Sequence, residues 1–330
     1  MRILVTGGAG FIGSHISRVI KENGHEVIAL DNFSPYYSVD LKEKRITSIL
    51  NPLGVEVIDV DISDFESISK VVQSFKPEYI LNLAAQAGVR LPISQMRNYV
   101  DSNISGFLNI ARTALENDVR AIIYASSSSV YGDVSSVPFE ESSPLLAPKS
   151  VYGITKLANE NIARVFAANS RLIFRGLRFF TVYGEWGRPD MAYFRLASAA
   201  LCQKKFTLFG DGKVRRDFTY IADVSTLVYR LMLDLENRSS GFNDIVNIGG
   251  GRPLSISYLI SLIEKISGVS IDCEYENMVA VDSKQTVASP KYLENLIGKQ
   301  TFTPLELGIE QMMKWFQNKE ITNSLTSWVY

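Results

Sequence analysis

Short runs of Val, Ile and Leu alternate with longer amphipathic stretches through the first half of this 330-residue chain. The runs are too short for most helices and lack the polar alternation of half-exposed strands, so they are typical of strands buried on both faces. The predicted strands are Ile3–Thr6, Val27–Leu30, Val55–Val60, Tyr79–Leu83 and Ala121–Ala125, and the predicted helices are Phe11–Asn23, Val39–Leu50, Asp64–Phe75 and Asn98–Asn117. Repeated strand–helix–strand units with right-handed crossovers predict an α/β fold with a doubly wound parallel sheet.

The regular alternation of predicted strands and helices ends after residue 180, where Gly184–Asp190 is rich in Gly, Trp and Pro. We interpret residues 1–180 as a nucleotide-binding domain and residues 181–330 as a smaller mixed C-terminal substrate lobe. Because no linker separates them, the two are expected to interleave. A late helix is expected to start at Thr303–Pro304, and the tail after Glu320 receives no assigned element.

Composition narrows the class of protein. Hydrophobic residues make up 46% and charged residues 21%, with a formal net charge of −1, so a core is expected but not the basic field that nucleic-acid or membrane-surface binding needs. Cys202 and Cys273 form no C-x-x-C pair, which disfavours a zinc cluster and indicates a reducing cytoplasm. His15 and His25 are too few for a histidine-rich metal site. No apolar run reaches the roughly 18 residues of a membrane span.

A glycine-rich turn follows the first predicted strand and opens the first predicted helix. Gly7, Gly10 and Gly13 fit the pattern G-x-x-G-x-x-G. Glycines let the backbone approach a pyrophosphate, and the helix N-terminus, where Phe11 and Ile12 offer N–H groups, favours negative charge. In this strand–turn–helix context the motif predicts a dinucleotide site in a Rossmann-type fold.

Two acidic residues end neighbouring predicted strands. Asp31 lies at the end of the second strand, where a carboxylate can accept both hydroxyls of an adenosine ribose and would repel a 2′-phosphate. The sequence therefore favours NAD over NADP. Asp61 ends the third strand and is a candidate adenine partner, although capping of its own loop is an equally good interpretation.

Candidate catalytic residues follow the fifth predicted strand. Tyr152 and Lys156 are four residues apart and share one helix face. We expect the Lys156 charge to lower the pKa of Tyr152, which makes that tyrosine a plausible base near neutral pH. The spacing is common in surface helices, so its weight comes from the position at the carboxyl end of the sheet. Ser126–Ser129 follow the strand directly, as site hydroxyls or as a serine-rich turn.

These residues resemble a known family, the extended short-chain dehydrogenases/reductases of the NAD-dependent epimerase/dehydratase type, which act on nucleotide sugars. The resemblance runs from Arg2 to about Trp315. It rests on AQAGVR (Ala85–Arg90), VDSNISG (Val100–Gly106), ASSSSVYG (Ala125–Gly132), YGITK (Tyr152–Lys156) and LRFFTVYG (Leu177–Gly184). Three further segments are most similar to UDP-glucuronate 4-epimerases: DNFSPYYSVDLK (Asp31–Lys42), WGRPDMA (Trp186–Ala192) and RRDFTYI (Arg215–Ile221).

The resemblance implies a role for each matching residue. Tyr152 would be the base, Lys156 its partner and Ser127 the hydroxyl at the sugar O4. The NAD site would comprise Gly7, Gly10, Phe11, Ile12, Gly13, Asp31, Asn32, Asp61, Ile62, Leu83, Ala84, Ala85, Gln86, Asn103, Tyr152 and Lys156. The UDP-sugar would contact Ser127, Ser128, Ser129, Thr181, Arg188, Met191 and Arg216. No metal is implied.

The resemblance also implies a reaction, the interconversion of UDP-glucuronate and UDP-galacturonate by transient C4 oxidation with tightly bound NAD, rotation of the keto-sugar and re-reduction. The 4-keto uronate is a β-keto acid that tends to lose CO₂. Related decarboxylases carry Thr-Ser-Glu and related dehydratases Thr-Asp-Glu where this chain has Ser127–Ser129, so three neutral hydroxyls favour epimerisation. Arg188 would hold the carboxylate in a two-pronged contact. A surface ion pair with Asp190 or Glu185 is the alternative for that arginine.

Two other functions stay open. One is a 4-epimerase of a neutral or N-acetylated UDP-hexose. The other is a catalytically silent NAD-sensing protein, which the intact Tyr152, Lys156 and Ser127 disfavour. The family also implies a homodimer through Asn98–Asn117 and the Tyr152 helix. The chain departs from the family pattern at Asn82, at Glu185 and at Val281–Asp282, where a Gly-Asp-Val pattern is degraded.

Overall fold

A computed structural model describes residues 1–133, 137–279 and 283–329. The strands in these ranges are β1 (Arg2–Thr6), β2 (Glu26–Asp31), β3 (Glu56–Asp59), β4 (Tyr79–Asn82), β5 (Ala121–Ser127), β6 (Ile173–Phe179), β7 (Thr181–Tyr183), β8 (Phe206–Phe209), β9 (Arg215–Tyr220), β10 (Asn243–Ile248), β11 (Pro253–Ser255) and β12 (Cys273–Glu276). Seven of these described strands form one parallel sheet in the order β10-β6-β5-β4-β1-β2-β3. The predicted doubly wound sheet is therefore confirmed.

Helices cover both faces of this sheet. In the described ranges the α-helices are α1 (Phe11–Glu22), α2 (Val39–Arg45), α3 (Phe65–Phe75), α4 (Gly106–Glu116), α5 (Val151–Ala168), α6 (Ala192–Cys202), α7 (Ile221–Asp234), α8 (Ile256–Ser267), α9 (Lys291–Ile297), α10 (Leu305–Phe316) and α11 (Lys319–Val329). Two predicted helices continue in a different geometry, since π-helical turns at Ile46–Leu50 and Tyr99–Ser105 adjoin α2 and α4. None of the helices in the described ranges is long and apolar enough to cross a membrane.

The side chains of β1 alternate between the two faces of the sheet, which explains why helices cover both faces. Ile3 and Val5 pack into a buried cluster with α1 and α7, whereas Leu4 packs into a second cluster with α3, α4 and α5. Successive side chains of a strand point to opposite faces, so an unbroken apolar run requires helices on both sides. This is the packing that the short apolar runs predict.

A smaller lobe contains the remaining strands and its own core. Strands β11, β9 and β7 form one small sheet, β12 pairs with β8, and side chains of α6, α8, α10 and α11 fill the cluster beneath them. Helix α11 places the tail that the sequence leaves unassigned, and the Trp328 indole donates to Asp40 at 2.7 Å. Strand β10 and helix α7 follow residue 180 yet belong to the large sheet and its covering layer.

The chain order of the sheet reverses at β1. This strand pairs with β2 on one side and with β4 on the other. In open α/β sheets, the crevice at such a reversal, outside the carboxyl ends of the strands, binds ligands. The fold thus fixes where a site is expected before any side chain is considered.

Candidate functional site

A cleft of about 670 Å³ lies at the carboxyl ends of the central strands. Its walls include all but two of the residues that the sequence predicts for a dinucleotide and a sugar nucleotide. They are Gly7, Gly10, Phe11, Ile12, Gly13, Asp31, Asn32, Ile62, Leu83, Ala84, Ala85, Gln86, Ser127, Ser128, Ser129, Tyr152, Lys156, Thr181, Arg188, Met191 and Arg216. Asp61 and Asn103 do not line it. Across the described ranges, no three His, Cys, Asp or Glu side chains are grouped to hold a metal ion.

The glycine turn has the close packing that a pyrophosphate cradle needs. Gly7 has a φ of +69°, and a Cβ there would lie 2.8 Å from the Ala84 nitrogen. A Cβ on Gly10 would lie 2.9 Å from the Gly7 carbonyl oxygen, and a Cβ on Gly13 would overlap that oxygen. Side chains would therefore fill the space above the start of α1, where free N–H groups point outward. The turn fits a dinucleotide such as NAD.

Asp31 is buried at the edge of the cleft and has three partners among the residues that the structure describes. One carboxylate oxygen accepts from the Phe33 nitrogen at 2.9 Å and from Lys42 Nζ at 2.9 Å, and the other accepts from the Ala9 nitrogen at 3.2 Å. Lys42 also lines the cleft. The sequence does not predict this lysine, and it offsets the charge with which Asp31 would repel a 2′-phosphate.

The two residues outside the cleft wall support residues that line it. Asp61 accepts from Asn32 at 2.7 Å and from the Ser63 nitrogen and hydroxyl at 2.7 Å. Burial raises the pKa of Asp61, but these hydrogen bonds outweigh it and leave that pKa below its usual value. Asn103 accepts from the Gln86 nitrogen at 2.8 Å. Direct contact of either residue with a cofactor stays a prediction.

The first turn of α5 brings the predicted base against the serine turn. The Ser150 hydroxyl caps the helix by accepting from the Gly153 nitrogen at 3.1 Å. Gly153 allows close approach, because a Cβ there would lie 2.8 Å from the Ser129 carbonyl oxygen. Tyr152 therefore lies next to Ser127, whose hydroxyl acts to lower the pKa of that tyrosine. The sequence does not single out Gly153, although a glycine between two functional residues is a signal of close packing.

The pKa values of the tyrosine and the lysine depart from the expected pattern. Burial raises the pKa of Tyr152, and the Arg188 charge and the Ser127 hydroxyl oppose the rise. The net direction is thus opposite to the expected lowering for the protein chain by itself, while the contribution of the Lys156 charge stays a prediction. Burial lowers the pKa of Lys156 to about 8. Its Nζ donates to the Ala125 carbonyl at 2.9 Å and lies 5.7 Å from the centre of the Tyr152 ring.

The four serines at the carboxyl end of β5 divide into two groups. The buried Ser126 hydroxyl donates to Glu160 at 2.5 Å, and Glu160 forms a two-pronged ion pair with Arg178. Ser127 ends β5 and caps the short 3₁₀ turn of Ser128–Val130 at the cleft, where the Ser127 hydroxyl accepts from the Ser129 nitrogen at 3.1 Å. The serine run is thus partly structural and partly available to a substrate.

Arg188 lies in the cleft and is paired. Its Nε donates to one oxygen of Asp190 at 3.0 Å and its Nη2 donates to the other at 2.5 Å. The sequence alternative of an ion pair with Asp190 is confirmed, while Glu185 instead accepts from Tyr220 at 2.7 Å. The pair is not confined to the outer surface, because both side chains also line the cleft.

A fully buried arginine holds the loop that carries Arg188. Arg45 donates to the carbonyls of Trp186 and Gly187, both at 2.9 Å, and to the carbonyl of Ala9 within the glycine turn at 3.2 Å. It therefore connects the predicted cofactor loop to the predicted substrate loop. No motif predicts this residue, since its partners lie far away in the sequence.

Arg216, predicted to contact the sugar nucleotide, also lines the cleft. It is on β9, and its Nη1 donates to the carbonyls of Ser283 at 2.8 Å and Arg215 at 3.1 Å. The neighbouring departure from the family pattern, Val281–Asp282, lies outside the described residues. The role of Arg216 toward a substrate stays a prediction.

Comparison with known proteins gives three informative matches. A probable UDP-glucuronate 4-epimerase of Rhizobium meliloti is 34% identical over 331 residues, covering 96% of this chain and 97% of that protein. The crystal structure of UDP-glucuronic acid 4-epimerase from Bacillus cereus, in complex with UDP-glucuronic acid and NAD, has a TM-score of 0.88 at 34% identity and covers 96% of this chain and 99% of that chain. UDP-glucose 4-epimerase of Thermotoga maritima, solved with UDP-glucose, has a TM-score of 0.87 at 28% identity and covers 97% and 100%.

The family match agrees with the geometry of the cleft. The sequence profile of the NAD dependent epimerase/dehydratase family matches residues 3–249, which include the glycine turn, the serine turn and the loop of Arg188. The parallel sheet, the crevice at β1 and the glycine cradle are the features on which such a dinucleotide site depends. The chain therefore belongs to the NAD dependent epimerase/dehydratase family.

Proposed function

We propose that this protein interconverts UDP-glucuronate and UDP-galacturonate as an NAD-dependent 4-epimerase, an isomerase. The observation that carries the proposal is the position of Arg188 in the same cleft as Tyr152 and the neutral Ser127–Ser129 turn. A guanidinium is suited to a sugar carboxylate. The relatives from Rhizobium and Bacillus support the same substrate.

Tyr152 is the proton-transfer residue in the proposed reaction. Its ionised phenolate oxygen takes the proton of the C4 hydroxyl and becomes a neutral phenol, which later returns a proton to the C4 oxygen. The Ser127 hydroxyl lies beside it. The charge of Arg188 stabilises the tyrosinate, and the Lys156 ammonium near the ring adds to it while protonated. When bound, NAD supplies the hydride acceptor and donor at C4.

The serine turn and Arg188 keep the reaction from becoming a decarboxylation. With C4 oxidised, the C6 carboxylate leaves as CO₂ unless its charge is held. Ser128 and Ser129 line the cleft as neutral donors, and no carboxylate of the turn itself repels the uronate or removes the C5 proton. Together with Arg188 they provide charge-assisted hydrogen bonds to that carboxylate.

One observation favours a second substrate class. Because Asp190 already pairs with Arg188, the cleft offers a bound sugar less positive charge than an isolated arginine would. A 4-epimerase of a neutral or N-acetylated UDP-hexose is therefore the alternative, and the Thermotoga enzyme shows that this fold binds UDP-glucose. The silent NAD-sensing protein loses support, because Tyr152 and Ser127 lie together in the cleft.

The direct test is incubation of the purified protein with UDP-glucuronate and chromatographic separation of the UDP-sugars. UDP-galacturonate should appear without added oxidant. The Tyr152→Phe variant is the matched control, since it keeps the ring and removes the hydroxyl. A UDP-pentose as the main product, or conversion of UDP-glucose alone, would refute the assignment.

Arg188→Ala separates the two substrate classes. Loss of a hydrogen bond to a charged group should weaken UDP-glucuronate binding by roughly 1.5–3 kcal/mol and barely change the affinity for a neutral UDP-hexose. The Ala variant should also release some UDP-pentose, because the keto-acid carboxylate is freed. Equal losses for both sugars, measured by calorimetric titration, would favour the neutral-hexose function.

We further propose that the protein is a homodimer joined through α4 and α5. Apolar side chains stand exposed on these two neighbouring helices, including Leu108, Leu115, Ile154 and Val165, the last being 56% exposed. Such a face is typical of a subunit interface. Light scattering should give twice the chain mass, and Val165→Glu should shift it toward the monomer. A monomer at micromolar concentration in the unsubstituted protein would refute this interface.

A reducing compartment such as the cytoplasm is proposed as the location. Cys202 and Cys273 are both free thiols, and burial raises the pKa of Cys273, which lowers its reactivity. Thiol titration of freshly isolated, denatured protein should count both thiols. Isolation of a disulfide-linked form would contradict this location.

A further inference from the structure

The ion pair of Arg188 and Asp190 leaves one edge of the guanidinium free. Asp190 takes Nε and Nη2, whereas Nη1 makes no hydrogen bond to any residue that the structure describes. The Tyr36 hydroxyl donates at 3.1 Å to the same Asp190 oxygen that accepts from Nη2, and thus helps to orient the carboxylate. All three side chains line the cleft, and those of Arg188 and Asp190 are 25% and 31% exposed.

Arg188 therefore already has a carboxylate partner, Asp190, when a second carboxylate enters the cleft. Asp190 reduces the attraction of Arg188 for any anion, and it is the acceptor to which Arg188 returns when that anion leaves. We propose that Asp190 competes with the C6 carboxylate of the substrate for Arg188, and so sets both the affinity for a uronate and the ease with which the sugar changes orientation. This inference rests on the proposed function.

The proposed reaction gives a physical reason for such a competitor. Because hydride must leave one face of C4 and return to the other, the sugar ring turns between the two steps, and its carboxylate must break and remake its contacts. Detaching a carboxylate from an arginine without another partner leaves an uncompensated charge in a partly desolvated site, which is costly. Asp190, two residues away and already in contact, compensates that charge at the moment of detachment.

Tyr36 makes the competition depend on the nucleotide-binding half of the protein. It lies between β2 and α2, and its hydroxyl sits so close to Gly88 that a Cβ at Gly88 would overlap it. The Arg188 guanidinium carbon lies 5.9 Å from the centre of the Tyr36 ring. Tyr36 thus holds Asp190 in place and covers Arg188, and it is a positioning residue rather than a catalytic one.

The test is Asp190→Asn in the NAD-loaded protein. The amide keeps the shape and an acceptor oxygen for Tyr36, but it removes the charge. The Kd of UDP-glucuronate, measured by calorimetry, should fall about tenfold, which corresponds to about 1.4 kcal/mol. The Kd of UDP-glucose should stay unchanged. Turnover of UDP-glucuronate should fall by a similar factor together with KM, because the carboxylate now detaches more slowly.

A purely structural Asp190 gives a different result. The affinities for UDP-glucuronate and UDP-glucose would then weaken together, or neither would change, and either result overturns the proposal. Tyr36→Phe is the second variant, which keeps the ring and should tighten UDP-glucuronate alone by a smaller factor, about twofold to threefold. It decides the question if the first variant does not fold.

The binding measurement also separates this inference from the proposed function. If the unsubstituted protein converts no UDP-glucuronate, the proposed function fails, whereas the comparison of affinities still tests competition at Arg188. If conversion occurs and Asp190→Asn leaves the UDP-glucuronate Kd unchanged, only the role of Asp190 fails.

Discussion

The buried charge of Lys156 lowers the stability of the folded protein. Replacement of this lysine by methionine measures that effect on the free energy of unfolding. The side chain is 3% exposed, and burial lowers its pKa from 10.5 to about 8. At 1.36 kcal/mol for each pKa unit, the buried charge destabilises the fold by about 3 kcal/mol at neutral pH. Methionine removes the charge and keeps the length, but it leaves the Ala125 carbonyl without its donor, which costs about 1 kcal/mol.

We therefore expect Lys156→Met to raise the free energy of unfolding by about 2 kcal/mol at pH 7. The sign of the pH dependence follows from proton binding. Below about pH 8 the lysine is protonated in both states, so the destabilisation is complete. Between about 8 and 10.5 the folded protein has released a proton that the unfolded chain still binds, so the stability of the unsubstituted protein rises with pH. The difference between the two proteins should close near pH 10.

The assay is urea unfolding of cofactor-free protein at pH 7 and pH 10. Lys70→Met, at an exposed position of α3, is the matched control and should show no such change. A Lys156→Met variant that is less stable at pH 7, or a difference that stays constant with pH, would refute the reasoning. Loss of epimerase activity in the more stable variant would show that the charge is retained for function.

Three further predictions concern the cofactor site and the loop contacts. Asp31→Asn leaves Lys42 without its carboxylate, so the affinity for NADP relative to NAD should rise about tenfold, measured as the shift in melting temperature with each cofactor. Tyr152→Phe should lower turnover by about 10²–10⁴-fold while the nucleotide released on denaturation stays unchanged. Arg45→Met leaves the carbonyls of Ala9, Trp186 and Gly187 without their donor and should lower the free energy of unfolding by about 3 kcal/mol. A loss under 1 kcal/mol would mean that Arg45 does not hold the loops.

The arrangement of the sheet follows from local patterns in the sequence. Val, Ile and Leu runs such as Ile3–Thr6 can be satisfied only by helices on both faces, so they determine a parallel doubly wound sheet. The glycine turn is likewise local. Gly7 needs a positive φ, and Gly10 and Gly13 leave no room for a Cβ, so a few neighbouring residues encode the cradle and its position at the end of β1.

The sequence does not show which groups pair with most of the charged side chains in the folded protein. Asp31 is paired with Lys42, and Arg45 with the carbonyls of Trp186 and Gly187 about 140 residues away. A charge pattern along one chain does not encode which residues the small lobe brings against the large sheet. The same applies to Asp190, which the sequence could place beside Arg188 but not beneath the hydroxyl of Tyr36.

Tyr152 shows most clearly which properties the sequence determines and which depend on the tertiary structure. Its spacing to Lys156 and its position after β5 can be read from the sequence, because helical periodicity and strand order are local properties. The direction in which its pKa shifts cannot be read from the sequence. That direction depends on how much water the folded cleft excludes and on which charged side chains lie near the tyrosine. Burial raises the pKa of Tyr152 and lowers that of Lys156, while Arg188, from a distant loop, supplies the opposing charge. Sequence thus determined which groups are present and where the sheet presents them, and tertiary packing decided their protonation because desolvation and long-range charge exist only in the folded chain.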